Sequence, residues 1–306
     1  MKHRNVVVLT CIALVAGLCA LGLASFQRET VRFAYRPPDG TKCTERATLT
    51  RVVSVGTDKT TTQGTMAWRA VVKRTGSGYR NTNTLLSSSV TRNGQVQKNT
   101  LDGLLIGLPI TYEIDRNGQL KAVKGYGEAR KRLEAKLGPE QARKMPEELS
   151  EKAMVSRVKQ EWKERFGEFA GRTVPIGSAM VSVRPYALPY GDQTDYYRVT
   201  RVLGRVTYAG HSCVKIRFDY HSNAKALAKL VGRPVNEITA PNGKKLRVTQ
   251  MKDATVTGGG ERIIDPATML LYAESSSRDL SLKMQGPAGK PVTFTTSEKQ
   301  VRTFKY

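Results

Sequence analysis

The sequence predicts an α+β protein in which two β-rich halves flank one central helical segment. Three observations carry this. Only residues 127–171 sustain a helical spacing of apolar side chains. On either side, roughly a hundred residues break into short alternating stretches, the pattern of half-buried strands. Those stretches are punctuated by tight-turn pairs, Asn93-Gly94, Asn117-Gly118 and Asn242-Gly243, which favour two-residue hairpins and hence antiparallel neighbours.

The helical segment divides at Gly138, a natural stop after the repeat Ala129, Leu133, Leu137. Pro139 and Pro146 each suit the first turn of a new helix, and Glu147 and Glu148 sit at its positive end. Val155, Val158, Trp162, Phe166 and Phe169 then form one apolar stripe, expected to pack on a sheet. Lys152, Arg157, Lys159, Lys163 and Arg165 occupy the other face among glutamates and are expected to be solvated. Those interrupting acids argue against a helix lying on a membrane surface.

The N-terminus directs export. Lys2 and Arg4 precede an uncharged run from Val6 to Ala24, and Gly22-Leu23-Ala24 is a small-x-small cleavage site. Residues 1–24 are either a cleaved signal peptide or a retained membrane anchor; bulky Leu18 disfavours lipidation at Cys19. Residues 25–126 form the first β-rich half, 127–171 the helical connector and 172–306 the second half. The expected location is the periplasm or cell envelope. The chain carries a formal net charge of +24, spread over both halves instead of focused in one groove. In an envelope this favours anionic glycans, membrane surfaces or partner proteins; no nucleic-acid motif accompanies it. Outside the export segment only Cys43 and Cys213 remain, one per half, a disulfide candidate in an oxidising compartment. Two free thiols are the alternative.

In the first half, Val31, Phe33 and Tyr35 alternate before the turn at Pro37–Gly40, and residues 42–55 read as a long strand. Met66, Trp68, Ala70 and Val72 point one face at a core. Leu104-Leu105-Ile106-Gly107-Leu108 is either a buried strand or a loop over a ligand pocket, and Ile114–Leu120 is a hairpin. In the second half, Val214, Ile216, Phe218 and Tyr220 share one face of a strand, with Cys213, Lys215, Arg217 and Asp219 on the other. A short helix follows near Ala224, and Gly258-Gly259-Gly260 reads as a flexible break. Ile114-Asp115-x-x-Gly118-x-Leu120 echoes Ile264-Asp265-x-x-Thr268-x-Leu270, so each half contains an Ile-Asp turn.

Chemistry is sparsely marked. His211, Cys213, Asp219 and His221 share one strand face, which sets the histidines roughly 30 Å apart, too far to share a metal. Ser212 lacks a nucleophile elbow and the glycine triplet lacks a following Lys-Ser/Thr. The expected protein is not an enzyme and uses no metal or cofactor.

The export segment, the Tyr112–Gly118 hairpin, the helical connector closing at Val174–Gly177, the run Gly210–Ile216 and the run Ile264-Asp265-Pro266-Ala267-Thr268-Met269-Leu270 together resemble exported bacterial β-rich proteins of uncharacterised function. The last run is similar to the Asp-Pro-x-Thr-Gly-Leu turn of envelope lipoprotein carriers of the lipoprotein-localisation-factor type, with Met269 in place of the glycine. That resemblance implies a curved, half-barrel-like antiparallel sheet with the helical segment packed on its concave face and an apolar cavity between. The lining would be Met66, Trp68, Leu104, Leu105, Ile106, Leu108, Val158, Trp162 and Phe166. On this reading the protein binds a lipid or other apolar ligand without catalysis; alternatively the same residues fill a dry core, and the cationic surface binds an anionic glycan or partner.

Overall fold

In a computed structural model the chain is described over residues 28–97, 103, 105–138, 150–188, 193–232, 237–239, 245–286 and 289–306. The export segment, the helix restarts at Pro139 and Pro146, Leu104 and the Asn242-Gly243 turn lie outside these residues. The first half supplies β1 (Thr30–Arg32), β2 (Lys42–Val55), β3 (Asp58–Thr75), β4 (Gly78–Arg92), β5 (Gln95–Val96), β6 (Pro109–Asp115) and β7 (Leu120–Lys124). The connector supplies α1 (Tyr126–Leu137) and α2 (Glu151–Trp162), the latter continued by a π-turn, Lys163–Gly167. The second half supplies β8 (Thr173–Pro175), β9 (Ala179–Ala187), β10 (Gln193–Tyr208), β11 (His211–Ser222), α3 (Ala224–Ala228), β12 (Glu237–Thr239), β13 (Lys245–Arg247), β14 (Gln250–Ile264), β15 (Leu271–Gln285) and β16 (Pro291–Lys305).

One antiparallel sheet runs in the order β7-β6-β4-β3-β2-β16-β15-β14-β11-β10-β9. The curved sheet is not closed, and β7 and β9 are its edges. Nearly every neighbour is a hairpin partner; the exception that joins the halves is β2 with β16, from Thr44↔Lys305 to Val55↔Phe294. The expected α+β architecture is thus observed. Two side ribbons complete it: β1 with β8, and β12 with β13.

Strand alternation sets which residues look inward. On β11 the inward set is Val214, Ile216, Phe218 and Tyr220, as the alternation predicts. Register carries that face across the sheet, from Ile216 to Arg262, from Arg262 to Glu274 and from Glu274 to Arg302. Two apolar clusters occupy the ends of this face. One gathers Val31, Phe33, Tyr35, Trp162, Phe169, Val202, Ile216, Ile264 and Leu271 under α2 and β1. The other gathers Val55, Leu227, Met251, Val256, Leu280, Leu282, Met284 and Phe294 under α3.

The glycine triplet is a correction. Gly258, Gly259 and Gly260 are not a break but the middle of β14, paired on both sides. A Cβ on Gly260 would lie 2.7 Å from the Phe218 ring and would overlap the Ser275 carbonyl. The missing side chain is what seats Phe218 on the inward face.

The Ile-Asp echo has a structural counterpart. Asp115 Oδ1 accepts from the backbone N–H groups of Asn117 and Gln119, both at 2.9 Å. Asp265 accepts from Ala267 N at 2.8 Å and from Thr268 Oγ1 at 2.7 Å. Each turn then holds another element in place. Gly118 O accepts from the indole of Trp162 at 2.9 Å, tying α2 down. Pro266 O and Thr268 O accept from Ala34 N and Arg36 N, tying the N-terminal segment down. Met269 stands at φ 60 with its side chain in the first cluster, so burial holds a backbone conformation that methionine otherwise disfavours.

Candidate functional site

Of the nine residues predicted to line one apolar cavity, Leu104 lies outside the described residues and the other eight do not share one cluster. Trp162 and Phe166 join the first cluster, their rings 4.5 Å apart, with Tyr35 5.6 Å from Trp162. Met66, Trp68, Leu105 and Leu108 form a separate cluster with Leu85, Ala129 and Tyr126. Val158 is half-buried and Ile106 is exposed. Both clusters are packed hydrocarbon and aromatic surface.

Between the two apolar ends, the inward face turns ionic. β10 contributes Arg198, β14 Arg262, β15 Glu274 and Arg278, β16 Glu298 and Arg302, and β2 Glu45; β9 adds Arg184. The π-turn lies against them with Glu164 and Arg165, followed by Glu168 just after it. Arg262 Nη2 donates to Glu274 at 3.0 Å, while its Nη1 donates to the carbonyls of Arg165 at 3.0 Å and Glu164 at 3.3 Å. Arg302 donates to Glu45 at 2.9 Å. Arg165 lies 3.4 Å from Glu274 and 3.8 Å from Glu45. Arg184 donates to Glu168, and Arg278 pairs with Glu298 at 3.6 Å. The helical cover is therefore held to the sheet by charge across its polar side and by Trp162 and Phe166 across its apolar side.

This corrects the expectation for Arg165. Its side chain is 17% exposed, because the π-turn rotates it toward Glu45 and Glu274 and away from water. On α1, two surface pairs form locally, Lys131 with Glu128 and Arg130 with Glu134.

Burial pushes the Glu274 carboxyl up, but the Arg262 and Arg165 guanidiniums outweigh it and hold the group down at about 2. It is an ionised partner at neutral pH, unsuited to exchanging protons there. Glu45, by contrast, is raised by burial despite Arg165.

A pocket of about 230 Å³ opens in this ionic band. Five arginines, Arg165, Arg198, Arg262, Arg278 and Arg302, face four glutamates, Glu161, Glu164, Glu274 and Glu298. Phe218, Tyr196 and Tyr220 supply the aromatic wall. The guanidinium carbons of Arg198 and Arg262 stand 4.6 and 5.6 Å from the Phe218 ring centre, near enough for cation–π attraction.

These pocket residues were missed by sequence reasoning, although a signal existed. Arg198 shares its strand phase with Tyr196 and Val202, and Arg262 shares its phase with Ile264. Charges in phase with a buried apolar set mark an inward polar site.

Cys43 and Cys213 are buried free thiols and not a disulfide. β16, β15 and β14 separate their strands, a path of roughly 19 Å across the sheet, beyond disulfide reach. Burial pushes both thiols up to about 11. His211, Asp219 and His221 remain spread along β11, and Asp219 is engaged by Arg201 and Arg217 at 3.1 Å each.

No protein-family model and no curated protein matches the chain. Among solved structures it is similar to lipovitellin, whose structure concerns lipid–protein interactions, with 9% identity over 88% of this chain and a TM-score of 0.44. The chain spans 26% of that chain. The β domain of the Bordetella autotransporter BrkA aligns at 8% identity over 87% of this chain and 99% of its own, with a TM-score of 0.21. Pseudomonas aeruginosa OpdK, solved with vanillate, aligns at 7% identity over 86% and 98%, with a TM-score of 0.16. Likenesses at this level carry no functional argument.

Proposed function

We propose that this chain is an exported, non-catalytic envelope protein that binds a ligand in the polar pocket between its helical cover and the inward face of the sheet. One observation carries the reading: the inward face, packed with hydrocarbon at both ends, opens a pocket at its ionic middle. Small-ligand sites are concave and carry aromatic walls with placed polar groups; here the wall is Phe218, Tyr196 and Tyr220 and the polar groups are nine charged side chains. Glu274, paired with two arginines, is kept ionised instead of poised for proton transfer, whereas burial raises Glu161 in the same lining. An apolar ligand would instead have to displace packed side chains from the clusters holding Trp162 or Trp68.

Native mass spectrometry of the chain purified from an envelope fraction tests this. A stoichiometric small ligand is expected, absent from Ser276→Phe, which fills the pocket floor. A clean apo mass, or a ligand retained by a folded Ser276→Phe variant, would contradict it.

A further inference from the structure

We infer that one rim of the sheet is a membrane-facing surface that rests on anionic phospholipid. The inference is independent of the pocket. Antiparallel pairing gathers at this rim the end of β10 at Tyr208, the start of β11 at His211, the start of β15 at Leu271 and the end of β16 at Lys305. Four rings meet there in one row. The ring centres of His211, Tyr306 and Tyr208 stand 4.8, 5.3 and 6.2 Å from that of Tyr272. Tyr272 is buried, while Tyr208 and Tyr306 are 36% and 42% exposed. Among the described residues no other Phe, Tyr or Trp is so exposed, and both stand at the same rim. A tyrosine joins an apolar ring to a polar tip, which suits the headgroup level of a bilayer.

The segment from Glu29 to Arg36 runs along this rim. Glu29 accepts from Arg205, three residues before Tyr208, at 2.7 Å. Ala34 N and Arg36 N donate to Pro266 O and Thr268 O at 2.9 and 3.4 Å, in the turn that leads into β15. Val31, Phe33 and Tyr35 are buried, so alternation turns Arg32 and Arg36 to the surface. Lys42 and Lys305 are exposed where β2 begins and β16 ends. None of these four cations has a carboxylate partner among the described residues. Exposed lysines also stand at the opposite rim, Lys59, Lys252 and Lys290 among them, but no exposed ring of Phe, Tyr or Trp accompanies them. Charge alone therefore does not choose a face; cations and rings together do.

Chain length points the same way. The uncharged run Val6–Ala24 ends five residues before Glu29, a reach of at most about 18 Å. The 15 residues of β15 set the two rims roughly 45 Å apart. A run that enters a bilayer would thus hold the aromatic rim against the surface and leave the opposite rim out of reach. Phospholipid headgroups supply the negative charge that the four cations lack.

Hydrogen exchange of the chain purified from an envelope fraction, on nanodiscs of phosphatidylglycerol and on nanodiscs of phosphatidylcholine, tests this. Amides of residues 208–212 and 303–306 are expected to exchange more slowly on the anionic discs. The turns at 56–57 and 93–94, on the opposite rim, are expected to be unchanged. Arg32→Gln with Arg36→Gln and Lys305→Gln is expected to weaken the rim contact about a hundredfold and so to lose that protection. Lys59→Gln with Lys252→Gln and Lys290→Gln is expected to keep it. Tyr208→Ser leaves every charge in place and is expected to lose part of it; full protection in a folded Tyr208→Ser variant would overturn the role of the aromatic row. The wild type decides even if a variant unfolds: equal exchange on both discs, or protection at the opposite rim instead, overturns the proposal. Equal protection of the rim by soluble dextran sulfate would assign an acidic glycan and end the bilayer assignment. None of these outcomes bears on the pocket, whose ligand is read separately with Ser276→Phe.

Discussion

The ends and the middle of the inward face are built on the same strands with the same alternation, yet they solve burial in opposite ways. At the ends, Leu282 or Ile264 is driven inward by hydrocarbon transfer and needs no partner. In the middle, Arg262 and Arg198 are as deeply buried as those residues, and each must be matched by carboxylates, carbonyls or an aromatic face. The contrast teaches that the ionic band is not the cheapest way to fill this face. Ion pairs in such positions seldom add stability over hydrophobic residues of like volume, so a band of them points to use.

Breaking one partner in the middle is expected to have the largest effect. Arg262→Met strands Glu274 without its main hydrogen-bond partner and is expected to cost about 3–5 kcal/mol in chemical denaturation. The double change Arg262→Met with Glu274→Leu sharpens the comparison. It is expected to regain most of that loss while abolishing ligand binding; if it stays as unstable as the single variant, the band is structural. At the apolar end, Leu282→Ala is expected to cost about 2–5 kcal/mol and to leave binding intact, since Leu282 does not line the pocket.

The pH response separates the regions next. Glu274 is held at about 2, below its usual 4.5, so its contribution to stability is present above the usual value and is lost as pH falls through about 4.5 toward about 2. The stability gap between wild type and Glu274→Gln is expected to be widest at neutral pH and to shrink across that window. A gap constant from neutral pH to pH 2 would contradict the buried pairing. Smallest of all, Ile106→Ser is expected to change stability by no more than about 0.5 kcal/mol, because Ile106 is 39% exposed.

Much of the fold was legible because alternation and turn chemistry are local. The inward set of β11 and the Asp115 and Asp265 turns follow from spacing, and so do Trp162, Phe166 and Phe169 at the core, while on α2 itself Met154 is buried and Val155 and Val158 are only half-buried. What escaped depends on distant partners. Gly258-Gly259-Gly260 carries the composition of a linker, and only Phe218, some forty positions earlier in sequence, shows why a strand needs glycine there. Arg165 reads as a helix surface charge until the π-turn aims it at Glu45 and Glu274. Cys43 and Cys213 suggest a bridge until strand order sets them apart. The pocket was hidden for the same reason, since Arg198, Arg262 and Arg278 lie on three strands and look like ordinary surface arginines one at a time.

The most direct measurement is a crystal structure of the chain purified from an envelope fraction at a resolution that shows bound ligands. The account expects ligand density in the ionic middle, against Phe218. Density lodged instead among Trp68, Leu105 and Leu108, or around Trp162 and Phe166, would contradict it and restore an apolar cavity.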